Sequence, residues 1–437
     1  MHRTVKRGAT VLAAIALAAA ALTGCSSSAP AADAPVSLTW WGWNAFNKDQ
    51  VIKDFQAANP KIKVTYKQYA YNDYVTALRP GLSSNKGPDV FQVQPGDLVT
   101  NFGPLAVPVE DRVAKDLGDD WASKFNQEGL SQLQFEKKQV ALPAYMSAAG
   151  LIYYNKKILD QYGLSVPTDF AEWKTVCETL KANNVGCLAH GAKDAWVNTD
   201  VFLALINSIA PGKVYDAIDG KTSWTDPEFV KAMDAWSELF TSGIIGSGAT
   251  AATEYPDAQT TFMEDKAAFI ALGTWNTPAT MTKTGQVDAQ KTVTKKIDGL
   301  FLSAPFPAPV TGDDPTKLFG GPDNGFAVSA KSSKQDAAFK FLEFLTAGGG
   351  QKIQAAGGNI PAITSVKVAT TDVIDPSQVA DIEGQQEALA DLVGARQIPY
   401  SDLTTALGDA LSAVAAGTSS PADALKQVES ASKSVSR

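Results

Sequence analysis

Histidine and cysteine are scarce in this chain of 437 residues, which has two histidines and three cysteines. After residue 24 the single histidine is His190, and no cysteines are spaced as a zinc motif requires. Because zinc sites need several cysteine or histidine ligands, we expect neither a metal ion nor a cofactor. A serine–histidine–carboxylate triad would depend on His190 alone, which we interpret as a solvated loop residue.

Motifs of common enzyme classes are also missing. The sequence has no G-x-S-x-G elbow, no phosphate-binding loop and no H-E-x-x-H helix. Acidic residues are plentiful, and their sequence positions do not show whether two carboxylates face each other as in glycosidases. A secreted carbohydrate-active enzyme is therefore an alternative, although we expect the protein not to be an enzyme.

Basic clusters and late apolar runs are missing as well. Residues 1–24 hold three of the 38 basic residues, which leaves 35 basic against 46 acidic residues and a net charge of −11. Such an acidic chain disfavours nucleic acid and anionic lipid surfaces as partners. After residue 24 the sequence shows no apolar run long enough to span a bilayer.

The first 36 residues have the pattern of an exported lipoprotein. A basic start and an apolar run over 11–22 predict a signal peptide over 1–24. The sequence LTGC, which ends at Cys25, resembles the lipobox of bacterial lipoproteins. It implies a lipid on Cys25 that anchors the protein at the outer face of the cell membrane; an ordinary signal peptide is the alternative. Residues 25–36, rich in serine, alanine and proline, predict a flexible tether.

The other two cysteines, Cys177 and Cys187, lie close together in VCETLKANNVGC. Cys177 comes late in a predicted helix, and Cys187 follows Gly186, which is expected to end that helix. In an exported protein such a pair favours a disulfide, with two buried free thiols as the alternative.

Strand and helix patterns alternate along the chain. The segments VSLTWW, KIKVTYKQY and PDVFQV predict strands, with amphipathic helices between them. This order indicates an α/β fold in which mostly parallel sheets are flanked by helices. The helix in PTDFAEWKTVCETLK is expected to have Thr168 as its N-cap. The chain after the leader is longer than one core usually holds, so we expect two lobes.

Aromatic, amide and acidic residues follow several predicted strands or lie in polar loops. In open α/β sheets, ligands sit beyond the carboxyl ends of the strands. Flat aromatic rings match the apolar faces of sugars, and amides and carboxylates bind hydroxyls, so this mixture favours a neutral sugar over a phosphate or a metal ion. The candidate binding residues are Trp43, Asn44, Gln94, Asp97, Tyr145, Trp196, Asn198, Trp275, Asn276, Asp323 and Asn324.

Other tryptophans are assigned to the core. Trp40 and Trp41 are neighbours on one strand and are expected to face opposite sides of it. Trp173 and Trp236 lie within amphipathic helices, where an aromatic residue normally faces the core.

Eight segments, taken in order, resemble the extracellular solute-binding proteins of carbohydrate ABC importers, the group that includes maltose-binding protein. They are LTWWGWN, FQAANPKIKVTY, GPDVFQVQ, ALPAYMSAAGLIYYNKKIL, GLSVPTDFAEW, TFMEDKAAFIALGTW, NGFAVSAKSSKQDAAFKFLEFL and GGNIPA. The resemblance implies two α/β lobes, joined by hinge segments, that close on a sugar and deliver it to an ABC permease; we expect a monomer. The first lobe would comprise residues 37–147 and 300–346, and the second 148–299 and 347–437.

The same resemblance assigns particular residues to the cleft. It places Trp43, Asp97, Tyr145, Trp196 and Trp275 on or beside cleft positions, and it implies that the loop GGPDNG reaches the ligand. The segment AYMSAAG has no charged residue, whereas maltose-binding protein has a carboxylate at this place. The segment RQIPYSDLTTAL has no tryptophan, whereas maltose-binding protein has a stacking tryptophan there. Both departures disfavour a linear maltodextrin. A polyol or phosphate ester as ligand, and a surface lipoprotein without a ligand, remain alternatives.

Overall fold

The computed structural model describes residues 35–437, so the predicted signal peptide, Cys25 and all but the end of the predicted tether lie outside the described residues. The described strands are β1 (Val36–Gly42), β2 (Ile62–Gln68), β3 (Val90–Val93), β4 (Gln134–Phe135), β5 (Lys138–Gln139), β6 (Leu142–Ala149), β7 (Leu151–Asn155), β8 (Gly186–Ala189), β9 (Ala267–Ile270), β10 (Phe301–Pro305), β11 (Phe319–Val328) and β12 (Ile360–Pro361).

The described α-helices alternate with these strands. They are α1 (Lys48–Ala58), α2 (Tyr71–Leu82), α3 (Asp97–Phe102), α4 (Glu110–Leu117), α5 (Gln127–Ser131), α6 (Lys156–Tyr162), α7 (Phe170–Ala182), α8 (Ala195–Ile209), α9 (Lys213–Ile218), α10 (Pro227–Thr241), α11 (Gln259–Met263), α12 (Thr277–Met281), α13 (Lys283–Ala289), α14 (Gln335–Ala347), α15 (Gly349–Ala356), α16 (Ser377–Ala388), α17 (Ser401–Ala415) and α18 (Pro421–Ser434).

The strands form two mixed sheets, besides the short pair of β4 and β5. The first sheet has the order β12-β6-β11-β3-β1-β2, and the second has the order β10-β7-β9-β8. In the first sheet β1 is parallel to β2 and β3, whereas β11 is antiparallel to β3 and β6. In the second sheet β8 and β9 are parallel and the other pairs antiparallel. The sheets are therefore mixed rather than mostly parallel. The strands next to the connections between the sheets pair antiparallel, β6 with β11 and β7 with β10.

Each sheet has apolar side chains packed on both of its faces. On β1, Trp40 is 1% exposed and packs in one apolar cluster, whereas the partly buried Trp41 packs in the cluster on the other face. Trp173 on α7 and Trp236 on α10 are fully buried in the core of the second sheet. The positions expected for these four tryptophans are confirmed.

Two neighbouring crossings connect the sheets. β6 continues directly into β7 through Gly150, whose φ of +95° is a conformation that favours glycine. β10 leads through residues 306–318 to β11, and Phe319 at the start of β11 pairs with Ala149 at the end of β6. The two crossings thus lie side by side and form a hinge between two lobes.

The lobes differ from the expected boundaries at two places. β10 pairs with β7, so residues 301–305 belong to the second lobe rather than the first. β12 pairs with β6, and Ile360 and Ala362 are buried in the first lobe's core, so this segment belongs to the first lobe rather than the second. Both crossings come later in the chain than expected, after β10 and after β12. The reason is that each of these edge strands pairs with the sheet of the lobe that the chain is about to leave.

Helix α7 and strand β8 carry the cysteine pair. The side chain of Asp169 accepts a hydrogen bond of 2.9 Å from the backbone N of Glu172, so Asp169, not Thr168, is the N-cap. Thr168 instead donates its hydroxyl to the Glu172 carboxylate. Cys177 in α7 and Cys187 in β8 form a disulfide with their Cα atoms 5.1 Å apart. The bridge ties the helix to the neighbouring strand in the second lobe.

Candidate binding cleft

A group of aromatic and polar side chains lies where the two lobes face each other, and we name it the cleft cluster. The first lobe supplies Trp43, Tyr71, Gln94, Asp97, Tyr145 and Asp323. The second lobe supplies Trp196, Asp200, Tyr255, Trp275 and Arg396. Seven of these eleven residues are among the sequence-predicted candidates.

Strand ends and helix starts position the outer part of the first-lobe side. Trp43 directly follows β1 and packs edge-on against Tyr71, with ring centroids 5.5 Å apart. Tyr71 is the first residue of α2, and its hydroxyl donates to Gln94 Oε1 at 2.8 Å. Asp97 is the first residue of α3, and burial raises its pKa. These groups meet because the carboxyl ends of the parallel strands β1 and β3 lie at one edge of the sheet.

Asp323 is the centre of a hydrogen-bond network on the paired strands β6 and β11. The Tyr145 hydroxyl donates to its Oδ2 at 2.7 Å, and the Ser147 hydroxyl donates to its Oδ1 at 3.2 Å. Asn324 Nδ2 donates to Oδ2 at 2.9 Å. Three donors therefore fix the orientation of a carboxylate that is 8% exposed.

Arg396 reaches from the loop between α16 and α17 toward both lobes. Its Nε and Nη2 donate to the two carboxylate oxygens of Asp200 on α8 at 2.9 and 2.8 Å, a bidentate pair. Its Nη1 lies 3.9 Å from Asp323 Oδ1 in the first lobe. Burial raises the pKa of Asp200, and the Arg396 guanidinium counteracts this shift.

Three aromatic rings line the second-lobe side. The guanidinium carbon of Arg396 lies 3.9 Å from the ring centroid of Trp275, a cation–π contact. Trp275 Nε1 donates to the Tyr255 hydroxyl at 3.2 Å. Tyr255 stacks on Trp196 with centroids 5.8 Å apart and an angle of 12° between the rings. Because Tyr255 is 42% exposed, it offers more open surface than the half-buried Trp275 and Trp196.

The lobes also contact each other beside the cleft cluster. Thr100 Oγ1 in the first lobe donates to the backbone carbonyl of Pro399 in the second lobe at 3.3 Å. Gly96 has a φ of +79° and lies so close to Ile398 that a Cβ would come within 2.8 Å of its carbonyl oxygen. A larger residue at position 96 would push the lobes apart.

The structure places one candidate amide, Asn198, inside the second lobe. Asn198 is fully buried; its Oδ1 is 2.8 Å from His190 Nε2, and its Nδ2 donates to the carbonyl of Ala192. The expectation that His190 is a solvated loop residue is wrong, since it is 3% exposed and burial lowers its pKa to about 4. Asn198 therefore serves the buried histidine and does not face the cleft.

The remaining three candidate amides lie beside or behind the cleft cluster. The side chain of Asn44 is exposed, and its backbone carbonyl accepts a hydrogen bond from Gln92 Nε2. Asn276 is 2% exposed, and its Oδ1 accepts a hydrogen bond from Gln259. Asn324 is 1% exposed and supports Asp323 from behind.

Four members of the cleft cluster, Tyr71, Asp200, Tyr255 and Arg396, were missed by sequence reasoning. A signal was available for Asp200, because Trp196 and Asp200 are four residues apart on α8 and so share one helix face. Arg396 stands in RQIPYSDLTTAL, the segment noted for its missing tryptophan. Tyr255 lies in the irregular turn Glu254–Ala258, where no periodic pattern points to a ligand.

Within residues 35–437, no group of three or more histidine, cysteine, aspartate or glutamate side chains is arranged to hold a metal ion. None of the helices in the described part of the chain combines the length and apolarity needed to cross a membrane. What the cleft cluster offers a ligand is aromatic surface, carboxylates and one guanidinium.

Comparison with known proteins identifies the family. The model of the bacterial extracellular solute-binding protein family matches residues 47–352. An uncharacterized ABC transporter extracellular-binding protein of Pyrococcus horikoshii is 26% identical over 357 residues, which cover 79% of this chain and 74% of that protein. The multiple sugar-binding protein of Streptococcus mutans is 24% identical over 336 residues, which cover 75% of this chain and 74% of that protein.

A solved structure from work on xylan utilization by Caldanaerobius polysaccharolyticus shares the fold. It superimposes with a TM-score of 0.75 at 22% identity and covers 90% of this chain and 99% of its own. The two-lobed α/β fold expected from the sequence is thereby confirmed. With the family model matched over most of its length, the chain belongs to the bacterial extracellular solute-binding proteins.

Proposed function

We propose that this protein is the receptor of an ABC importer and binds a neutral mono- or oligosaccharide between its two lobes. The observation that carries the proposal is the composition of the cleft cluster. The exposed ring of Tyr255 suits the apolar face of a sugar, and Asp323 and Arg396 suit its hydroxyls. The Streptococcus mutans relative, named a multiple sugar-binding protein, supports a saccharide as ligand.

The two-lobed architecture supports delivery of the ligand to a permease. A ligand that contacts both lobes stabilises their closed arrangement, and a permease can distinguish that state from the open one. The name of the Pyrococcus horikoshii relative supports an ABC transporter as partner. In this proposal a lipid on Cys25 keeps the receptor, as a monomer, at the outer face of the cell membrane, and the receptor itself catalyses no reaction.

A polyol or a phosphate ester is the alternative ligand. A phosphate group favours several converging cations or the N-terminus of a helix. Within the cleft cluster Arg396 is the one cation, and it is already paired with Asp200, while Asp97 and Asp323 add negative charge. This balance favours an uncharged ligand.

A thermal-shift screen tests the proposal. The full-length protein is heated with neutral mono- and oligosaccharides, polyols and sugar phosphates, and each mixture is afterwards analysed for cleavage products. A ligand at 100 times its dissociation constant adds about 2.7 kcal/mol to the free energy of unfolding, so binding is readily seen. We expect at least one neutral saccharide to raise the melting temperature and to be recovered intact.

Each other outcome of the screen contradicts a stated part of the proposal. A response limited to polyols or phosphates would replace the ligand class, and cleavage of a saccharide would identify an enzyme. No response to any compound would favour a surface lipoprotein without a small-molecule ligand.

A further inference from the structure

We propose that Asp200 and Arg396 set the charge selectivity of the cleft, so that it accepts uncharged saccharides and rejects the uronates of the same shape. The inference rests on the proposed function and adds to it the residues that select the ligand. Arg396 and Asp323 touch the ligand in this account, whereas Asp200 is a positioning residue that acts through Arg396.

Asp200 already occupies one of the two bidentate edges of Arg396, the edge formed by Nε and Nη2. A guanidinium has five N–H donors in a rigid fork, and it clamps a carboxylate through two parallel hydrogen bonds. Asp200 takes such an edge of Arg396, through Nε at 2.9 Å and Nη2 at 2.8 Å. The side chains of Arg396 and Asp200 are 11% and 12% exposed, so the pair is largely shielded from water. A ligand carboxylate at the remaining N–H groups therefore meets a guanidinium whose charge Asp200 already balances.

Arg396 and Asp323 face each other across a gap between the lobes. Arg396 Nη1 and Asp323 Oδ1 are 3.9 Å apart, which is longer than a direct hydrogen bond of about 2.7–3.2 Å. A hydroxyl oxygen placed beside this gap accepts from Nη1 and donates to Oδ1, so one sugar hydroxyl satisfies both groups. A carboxylate oxygen accepts from Nη1 but has no proton to donate, and it meets the negative charge of Asp323.

Arg396 has little freedom to turn toward an anionic ligand. Its guanidinium carbon lies 3.9 Å from the ring centroid of Trp275. The loop that carries Arg396 is tied to the start of β11. The backbone N of Val393 donates to Leu318 O at 2.9 Å, and Gly320 N donates to Gly394 O at 2.8 Å. The donor is therefore held in place before the ligand arrives, which is how specificity for a hydroxyl is built.

The test compares neutral sugars with their uronates in calorimetric titrations of the full-length protein. The probes are glucose, galactose, galactobiose and the neutral saccharide that raises the melting temperature most, each against its uronate: glucuronate, galacturonate, digalacturonate and the uronate of that saccharide. We expect the wild type to bind at least one neutral probe and to bind its uronate at least about tenfold more weakly. Asp200→Asn removes one carboxylate charge and frees the Arg396 edge, so we expect its affinity for that uronate to rise by about tenfold or more.

Three further variants separate the mechanism from general effects of charge or stability. Asp402→Asn removes an exposed charge at the start of α17 and should behave as the wild type. The double variant Asp200→Asn/Arg396→Gln should lose the gain in uronate affinity, because the clamp is gone. Asp323→Asn removes the facing charge without breaking the Arg396–Asp200 pair, and it should also raise uronate affinity. If Asp200→Asn does not fold, Asp323→Asn still tests charge selection, and an unchanged uronate affinity in this folded variant would contradict it.

The outcomes that overturn the inference are distinct from failure of the proposed function. A wild type that binds a neutral sugar and its uronate equally well contradicts charge selection but leaves a saccharide receptor in place. A folded Asp200→Asn protein with unchanged uronate affinity, or an equal gain in Asp402→Asn, contradicts the role of Asp200. If the wild type binds no saccharide at all, the proposed function itself is wrong and this inference is wrong with it.

Discussion

The guanidinium carbon of Arg396 lies 3.9 Å from the ring centroid of Trp275, so a cation covers part of one face of this tryptophan. Trp275 also donates its indole N–H to the hydroxyl of Tyr255. In this arrangement Trp275 holds two other members of the cleft cluster, and the exposed ring of Tyr255 is the freer aromatic surface. Removing Trp275 should therefore also disturb the positions of Arg396 and Tyr255.

The first prediction is that Trp275→Ala weakens saccharide binding by about 2 kcal/mol or more, roughly thirtyfold in dissociation constant. The substitution removes the cation–π partner of Arg396 and the hydrogen-bond donor to Tyr255 together. Calorimetric titration measures the change, with Trp41→Ala as a control, since Trp41 packs with Tyr69 and Lys67 outside the cleft cluster. A variant that melts far lower but binds with wild-type affinity would place Trp275 in the core.

The second prediction concerns the disulfide between Cys177 and Cys187, which closes a loop with a sequence separation of 10. Replacing both cysteines by serine should lower the free energy of unfolding by about 3 kcal/mol, since the unfolded chain gains conformational freedom. Urea unfolding measures this loss, and saccharide affinity should not change because the bridge lies outside the cleft cluster. Full alkylation of both thiols in denatured, unreduced protein from an oxidising compartment would contradict the bridge.

The part of the cleft cluster that follows strand ends could be predicted from the sequence. Trp43 and Asp97 come directly after predicted strands or at the start of the next helix, and parallel strands bring such positions together. Arg396 could not be found this way, because its loop is held by backbone hydrogen bonds to the start of β11, about 75 residues earlier in the chain, such as that from Val393 N to Leu318 O. No local pattern encodes such a contact.

The period of the α-helix explains why the candidates predicted on α8 differ from the residues of α8 in the cleft cluster. On α8, Asn198 is two residues after Trp196, a rotation of about 200° that turns it to the opposite face. Asp200, four residues after Trp196, returns to the same face and enters the cleft cluster. A candidate set chosen from neighbours in the sequence therefore included the buried amide and missed the carboxylate.

The third prediction concerns Glu254, which is fully buried next to Tyr255. Its Oε2 accepts a hydrogen bond from Gly191 N at 2.8 Å, and burial raises its pKa from the ordinary value of 4.5 to about 8. Between these two pH values the folded protein holds a proton that the unfolded chain has lost, so stability falls as pH rises, by at most about 1.4 kcal/mol per pH unit. Glu254→Gln should remove this decline.

The measurement for Glu254 is the free energy of unfolding in urea at pH 6.5, 7.5 and 8.5. His190 acts in the opposite direction, because its pKa is lowered from 6.5 to about 4, but it contributes equally to the wild type and to Glu254→Gln and so cancels in their difference. As the pH rises from 6.5, the free energy of unfolding of Glu254→Gln should increasingly exceed that of the wild type. This difference should level off past pH 8. A constant difference would show that Glu254 is ionised in the folded protein throughout.

The fourth prediction concerns the proposed anchor. The sequence LTGC behind a basic and apolar leader motivates it. Cys25→Ser should abolish lipidation and release the protein from the membrane fraction, while saccharide binding by the released protein stays unchanged. Intact-mass analysis of the wild type decides the matter, since a mature N-terminus downstream of Cys25 would rule out the anchor.

In the proposed function one saccharide site is built from both lobes, and calorimetric titration of one variant from each lobe measures the contribution of each lobe. Asp97 in the first lobe and Tyr255 in the second are both partly exposed, so Asp97→Asn and Tyr255→Ala should fold as the wild type does. With the neutral saccharide that raises the melting temperature most, we predict that each variant binds about tenfold more weakly or worse. Wild-type affinity in either folded variant would contradict a site shared between the lobes.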